Sequence, residues 1–212
     1  MRYRRPYRCP HKSRFVEMFG DGSMWPVEDM ESVCSLITDG EHATPKRVEK
    51  GILLLSARNV LDHALKLDDV DYVDQDEYDR IAKRIVPQEG DILLSCSGSV
   101  GRCCAVPGDI KFQMVRSVAL LRLKEALLPK FVEHLICSPH VQRQIDKLKT
   151  ASSQANLFQG KIRKLKCFVP PLALQRDFVA FVEKVDKLAF AARQRREVAK
   201  QLYRAKIQEF FG

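Results

Sequence analysis

The sequence predicts a mixed α/β (α+β) domain containing a β-meander, followed by one long coiled-coil helix. Three observations carry that prediction. Short apolar runs separated by polar, Gly-containing turns occupy the middle of the chain. Helical apolar spacing returns at Lys130 to Cys137 and at Val141 to Lys149. Beyond Pro170-Pro171 no Pro or Gly interrupts the chain until Gly212. The expected division is a basic arm with a short helix end over 1–24, a globular module over 25–169 and a helix over 170–212.

The first twelve residues are rich in Arg, lack periodicity and read as a solvated tail. Phe15-Val16-Glu17-Met18-Phe19-Gly20 lies in pattern beside Ile207-Gln208-Glu209-Phe210-Phe211-Gly212. A helix ending just before a domain, repeated just after it, is what one unit of a tandem array shows. Trp25-Pro26-Val27 opens the globular region, and Met30, Val33, Leu36 and Ile37 suggest a short helical face. Thr38 to Arg47 has no apolar pattern, and its Thr, Asp, Gly and Pro residues mark an irregular loop. Gly51 to Ser56 is a β-type run; a strongly acidic stretch, Asp68 to Asp79, then leads into a helix over Glu77 to Arg84.

Pro87 to Asp91 is a turn, and Ile92 to Cys96 is an apolar run short enough for a buried strand. The turn Ser97 to Arg102 returns the chain into Cys103 to Val106, and Val118 to Leu123 forms a further strand. Ser138-Pro139 separates two helices, because Pro cannot continue one but suits the first position of the next. A polar loop, Thr150 to Asn156, precedes Leu157 to Leu165, and Cys167-Phe168-Val169 is a last strand. In the terminal helix Leu174, Phe178, Phe181, Val185, Leu188 and Ala192 fall alternately four and three residues apart, the seam of a two-stranded coiled coil, which predicts dimerisation. Arg195 interrupts the seam, so its first half is the better pairing surface. At 1.5 Å of rise per residue the helix reaches roughly 60 Å.

Composition narrows the function. The net charge of +9 argues for a polyanionic partner, nucleic acid before membrane, since no lipidation signal or basic amphipathic anchor accompanies it. The seven cysteines form no C-x-x-C pair and sit in apolar runs, as small hydrophobes of a reducing cytosol do. The start lacks the apolar core of a signal peptide. The chain therefore reads as cytoplasmic.

No catalytic constellation emerges. The acidic cluster lacks the sixth-position Gly and closing Glu of an EF-hand, and reads as a solvated face turned away from DNA. Val169-Pro170-Pro171-Leu172 is superficially similar to the Asn/Asp-Pro-Pro-aromatic motif of amino-methylating enzymes, but neither Val169 nor Leu172 can accept a hydrogen bond or stack on a base. Gly98-Ser99-Val100-Gly101 leads into a strand, so it is no nucleotide loop, and G-x-S-x-G is missing. The five histidines have no ligand spacing. No cofactor and no metal are expected. What remains is a set of polar turns: Lys46, Arg47, Arg58, Arg102, Arg116, Lys147 and Lys149 can neutralise phosphates. Thr38, His42, Ser97, Ser99, Gln113, Ser152 and Gln154 can read base edges or position the DNA backbone.

Five blocks carry a family resemblance: Thr38-Asp39-Gly40-Glu41-His42-Ala43-Thr44-Pro45; Gly51-Ile52-Leu53-Leu54-Leu55-Ser56-Ala57-Arg58-Asn59; Gly90-Asp91-Ile92-Leu93 with Ser97-Gly98-Ser99-Val100-Gly101; Arg116-Ser117-Val118-Ala119-Leu120; and Pro170-Pro171-Leu172-Ala173-Leu174-Gln175. In that order and spacing, the region from Trp25 to Gly212 resembles the DNA-specificity subunit of type I restriction-modification systems. The resemblance implies a target-recognition domain followed by a spacer helix, usually present twice in tandem, so that each domain reads half of a split DNA sequence. Its partners would be double-stranded DNA, a methyltransferase (modification) subunit and, indirectly, a restriction subunit, with no catalytic residue of its own. This chain would then be a half-subunit or a fragment, completed as a homodimer through the terminal helix. The competing readings are a coiled-coil assembly module binding protein or RNA, and a small nuclease acting through the acidic cluster around Asp71.

Overall fold

The computed structural model describes residues 10–149 and 155–211. The chain opens with α1 (Pro10–Phe19), β1 (Val27–Asp29), α2 (Met30–Val33) and β2 (Cys34–Asp39). Then come β3 (Ile52–Leu55), a 3-10 turn (Ala57–Asn59), β4 (Val60–Leu61), β5 (Ala64–Leu65), β6 (Asp71–Val73) and α3 (Gln75–Ala82). The strands β7 (Ile92–Ser95), β8 (Cys103–Ala105), β9 (Phe112–Met114) and β10 (Val118–Leu123) follow. The chain closes with α4 (Pro129–Ile136), α5 (Pro139–Leu148), α6 (Gln159–Ile162), β11 (Lys166–Phe168) and α7 (Leu172–Phe211). The mixed class and the long terminal helix are as the sequence predicts.

The centre is a four-stranded sheet in the order β2-β10-β7-β8, with every neighbouring pair antiparallel. Both of its faces are covered, which explains why β7 reads as continuously apolar rather than alternating. Ile92 and Leu94 of β7, with Ala119 and Leu121 of β10, turn toward the helices. Leu93, Val118 and Leu120 turn instead toward a second sheet, β6-β3-β9. Only β7 and β8 form a hairpin within the predicted meander. The next strand, β9, leaves the sheet and pairs in parallel with β3, Leu54 opposite Gln113.

Sequence expectations also change at β2 and β9. Met30 and Val33 are helical, but Leu36 and Ile37 lie in β2, where pairing with β10 overrides the short helical pattern. Gln113, expected at a recognition surface, is fully buried on β9, and its Nε2 donates to the Ile85 carbonyl at 3.0 Å. It cannot meet DNA there.

The helical face of the core is closed by a cluster of phenylalanines. Phe15 and Phe19 of α1 meet Phe131 of α4, Phe168 of β11 and Phe178 of α7, with ring centroids 5.0–6.5 Å apart in tilted, stacked and edge arrangements. The tail expected up to Lys12 is helical from Pro10 onward; residues 1–9 lie outside the described residues. Along α7, Phe178 and Val182 are fully buried, while Leu174, Phe181 and Val185 are half-buried. The first half of the expected seam is thus used by this chain's own core, and Arg14 of α1 sits 5.6 Å from the Phe181 ring centre. Leu188 and Ala192 are exposed, as are Val198, Leu202, Tyr203 and Phe210 beyond them. No helix among the described residues is long and apolar enough to cross a membrane.

Candidate nucleic-acid interface

A polar groove of about 430 Å³ opens at one end of the central sheet, between the turns that follow β2, β7 and β9 and the segment before α6. Its walls are built by backbone pairing. The Leu157 amide donates to the Cys96 carbonyl at 2.9 Å, and Gly98 to Ala155, so residues 155–157 lie along the 96–98 turn. Ser97 Oγ then reaches Asn156 Oδ1 at 2.6 Å. Opposite, the Arg116 amide donates to the Glu41 carbonyl at 3.0 Å, and Glu41 to Met114 at 2.8 Å. That approach leaves no room for a side chain at Gly40, where a Cβ would collide with the Met114 and Val115 carbonyls.

This clamp brings His42, Ser97 and Arg116 onto one groove. His42 Nε2 lies 2.8 Å from Asp39 Oδ2, and Arg84 donates to the other Asp39 oxygen at 2.9 Å and to the Gly40 carbonyl at 2.7 Å. Burial raises the pKa of Asp39, but the hydrogen bonds from His42 and Arg84 outweigh it and hold the carboxyl below its ordinary value. Thr38 belongs to the same network, accepting from Arg84 at 3.3 Å. Arg116 is exposed and no carboxylate of the described residues pairs with it, so its guanidinium can serve base edges or phosphates.

Three groove residues were missed by sequence reasoning: Asn156, Phe158 and Gln159. Phe158 is 64% exposed beside a fully buried Leu157, a placement for stacking on a base. The available signal was the adjacency of Leu157 and Phe158 after a polar loop, since successive side chains of an extended segment point to opposite sides. Gln159 Nε2 donates to the Ile37 carbonyl, tying α6 to β2.

The remaining candidates scatter. Ser99 and Arg102 are exposed on the turn beside Ser97, and that turn is braced by Gln142 of α5, which donates to the Gly101 carbonyl at 2.9 Å. Lys147 and Lys149 end the same helix, and Lys149 pairs with Asp146 at 2.7 Å. Arg47 and Arg58 lie elsewhere and share one carboxylate, Asp71, each at 3.0 Å. Lys46 sits near them, its amide donating to Glu77. The acidic stretch therefore neutralises part of the basic surface instead of facing away from all of it. Ser152 and Gln154 lie outside the described residues.

A second cluster was not expected from histidine spacing. His63, Glu133 and His134 bring potential ligand atoms within 4.8 Å of one another. Glu133 is committed, however: Oε1 accepts from His63 at 2.7 Å and from Lys130 at 2.9 Å, and Oε2 from the Ala105 amide at 2.7 Å. Burial would raise its pKa, but these donors hold it at about 2. Both Glu133 oxygens are thereby already committed to donors of this chain.

The family profile of the type I restriction modification DNA specificity domain matches residues 67–200. A putative type I restriction enzyme MjaX specificity subunit of Methanocaldococcus jannaschii is 24% identical over 196 residues, covering 88% of this chain and 45% of the relative. The HsdS subunit from Thermoanaerobacter tengcongensis aligns with a TM-score of 0.58 at 16% identity, over 87% of this chain and 44% of that one. A chain from a structure concerned with assembly and conformational transition of the type I R-M system gives 0.59 at 16% identity, over 92% and 50%. The S subunit of the M. genitalium type I system gives 0.55 at 15% identity, over 82% and 43%. The chain spans about half the length of each of these relatives. With its profile match spanning well over half the sequence, the chain belongs to the family of type I restriction modification DNA specificity domains.

Proposed function

We propose that this chain is a non-catalytic specificity module that reads one half of a bipartite DNA target through the groove around Arg116. It would bring methyltransferase, and through it restriction, subunits to that DNA. The observation that supports this most is the convergence of His42, Ser97, Asn156, Arg116 and Gln159 from separate turns onto one groove, with Phe158 exposed at its edge. Direct base reading needs such a set of fixed donors and acceptors. The excess positive charge supplies affinity for phosphates, and the exposed outer part of α7 offers an apolar stripe to a second copy or a partner subunit.

The test is selection of duplexes from a random pool by the purified chain, with and without a methyltransferase subunit, at low and high salt. A short enriched half-element whose binding weakens steeply with salt is expected. A pool that stays random, or binding indifferent to salt, would sink the reading. Sedimentation at micromolar concentration checks the pairing of α7: a chain that remains monomeric with and without DNA rules out the homodimer.

A further inference from the structure

We propose that Cys137 is a site of reversible oxidation by hydroperoxides, closing a disulfide to Cys103 with His63 as its proton donor. The two sulfurs lie 3.6 Å apart, one on β8 and the other at the C-terminal cap of α4. Cys137 is only partly buried and lines an apolar cavity of about 220 Å³ beside Val16 and Pro139, wide enough for a small peroxide. Cys103 is fully buried, with no route to solvent of its own.

Beside the pair stands a relay. His63 occupies the two-residue turn between β4 and β5 with φ 65, a left-handed conformation that directs its ring at α4. Its Nδ1 donates to Glu133 at 2.7 Å, and its ring lines the same cavity as Cys137. Burial works against a charged ring, but these two partners raise the His63 pKa to about 10. The contact between the two sulfurs lowers the Cys137 pKa; burial opposes it, and His63 adds to the lowering. The other groups facing the site are few. From α4 come Lys130 and His134, whose neutral ring stacks on His63 at 4.2 Å; Asp62 lies 3.5 Å from Cys137. From α1 come Lys12 and His11, the latter 3.4 Å from Asp186 of α7. Arg193 of α7 lies at the far wall. The described cysteines elsewhere, Cys34, Cys96, Cys104 and Cys167, have burial-raised values of about 12.

The chemistry balances without a cofactor. The Cys137 thiolate attacks one peroxide oxygen; the S–O bond forms as the O–O bond breaks, and the departing oxygen takes a proton from His63. Cys103 then attacks the sulfenyl sulfur, the S–S bond forms, and the sulfenyl oxygen leaves with the Cys103 proton as water. Two electrons pass from the sulfurs to the peroxide, and an external thiol reverses the step.

Peptide-resolved alkylation of the full chain with iodoacetamide, across pH, tests the thiol; exposure to hydrogen peroxide followed by non-reducing peptide mapping tests the bond. Cys137 should react at pH 7 at least about tenfold faster than Cys104, because only thiolate attacks. Peroxide should yield a Cys103–Cys137 peptide lighter by two hydrogen atoms and cleaved by dithiothreitol. His63→Asn, which tolerates the left-handed turn, should move the alkylation midpoint of Cys137 upward while the other cysteines keep theirs. Equal reactivity of Cys137 and Cys104, a bond to any other cysteine, or an unmoved midpoint in His63→Asn overturns the proposal. Because these readouts need no DNA, the outcome is independent of the proposed function.

Discussion

Gln175, fully buried in the first turns of α7, accepts the Leu128 amide hydrogen at 2.9 Å just where α4 begins. Its amide nitrogen donates in the other direction, to the Ala126 carbonyl at 3.0 Å and the Pro170 carbonyl at 2.8 Å. One side chain thereby satisfies an otherwise orphaned donor at the start of α4 and fixes the entry to α7. Replacing it with leucine keeps the volume but strands the Leu128 amide and two carbonyls inside the protein. Gln175→Leu should cost about 2–4 kcal/mol of stability, read as a lower urea midpoint.

In the groove, Arg116→Ala should weaken binding to the selected DNA about tenfold or more, the scale of one good base contact. Arg47→Ala and Arg58→Ala should change it by about twofold or less, since both guanidinium groups are already shared with Asp71 at the surface. Fluorescence anisotropy on one labelled duplex compares all three. A larger loss from Arg47 than from Arg116 would place the DNA on the β3-β6 side.

Gly40→Ala should damage both stability and binding. Its new methyl group meets the Met114 and Val115 carbonyls, which are backbone and cannot swing aside. The expected cost is about 1–3 kcal/mol from overpacking, together with lost DNA affinity as His42 moves away from Arg116. Thermal unfolding and anisotropy on the same samples check the pair.

The helical face should be acid-sensitive well above the carboxylate range. His134 is buried with no partner for Nε2 among the described residues, and burial, then the charged His63, depresses its pKa from 6.5 to about 3. A depressed value means that the unfolded chain takes up the proton first, so the stability from neutral His134 is complete above pH 6.5 and declines as the pH falls toward about 3. His11, lowered by burial, acts in the same direction. His63 acts oppositely, with its contribution complete below 6.5 and lost as the pH rises toward about 10. Between pH 6.5 and 4.5, above the ordinary value of Glu133, His134→Phe should flatten the fall of Tm with acid.

What could be read in the sequence follows the range of the interactions. The strand at Ile92 and the long helix were legible because their patterns are local, an apolar run ended by turns and an unbroken helical segment. The burial of Gln113 was not, since it follows from parallel pairing of β9 with β3, strands separated by more than fifty residues. Residue type and turn position point to Arg116 and Ser97, and the fold places them on one groove. Phe158 carries no such mark, because an apolar residue in sequence points inward by default. The His63–Cys137 pairing had no sequence signature, as its members come from a hairpin turn and a helix cap.

The burial of Phe178 and Val182 has a geometric corollary for the outer part of α7. An α-helix turns by about 100° per residue, so locking these two side chains into the core sets the azimuth of every residue beyond them. Leu188, Ala192, Ala199 and Leu202 then face one compass direction relative to the domain. One residue inserted after Val185 would lengthen the rod by only about 1.5 Å, yet would swing that apolar stripe by more than a quarter turn. For anything docked on α7, orientation relative to the groove is therefore far more sensitive to insertion than distance is.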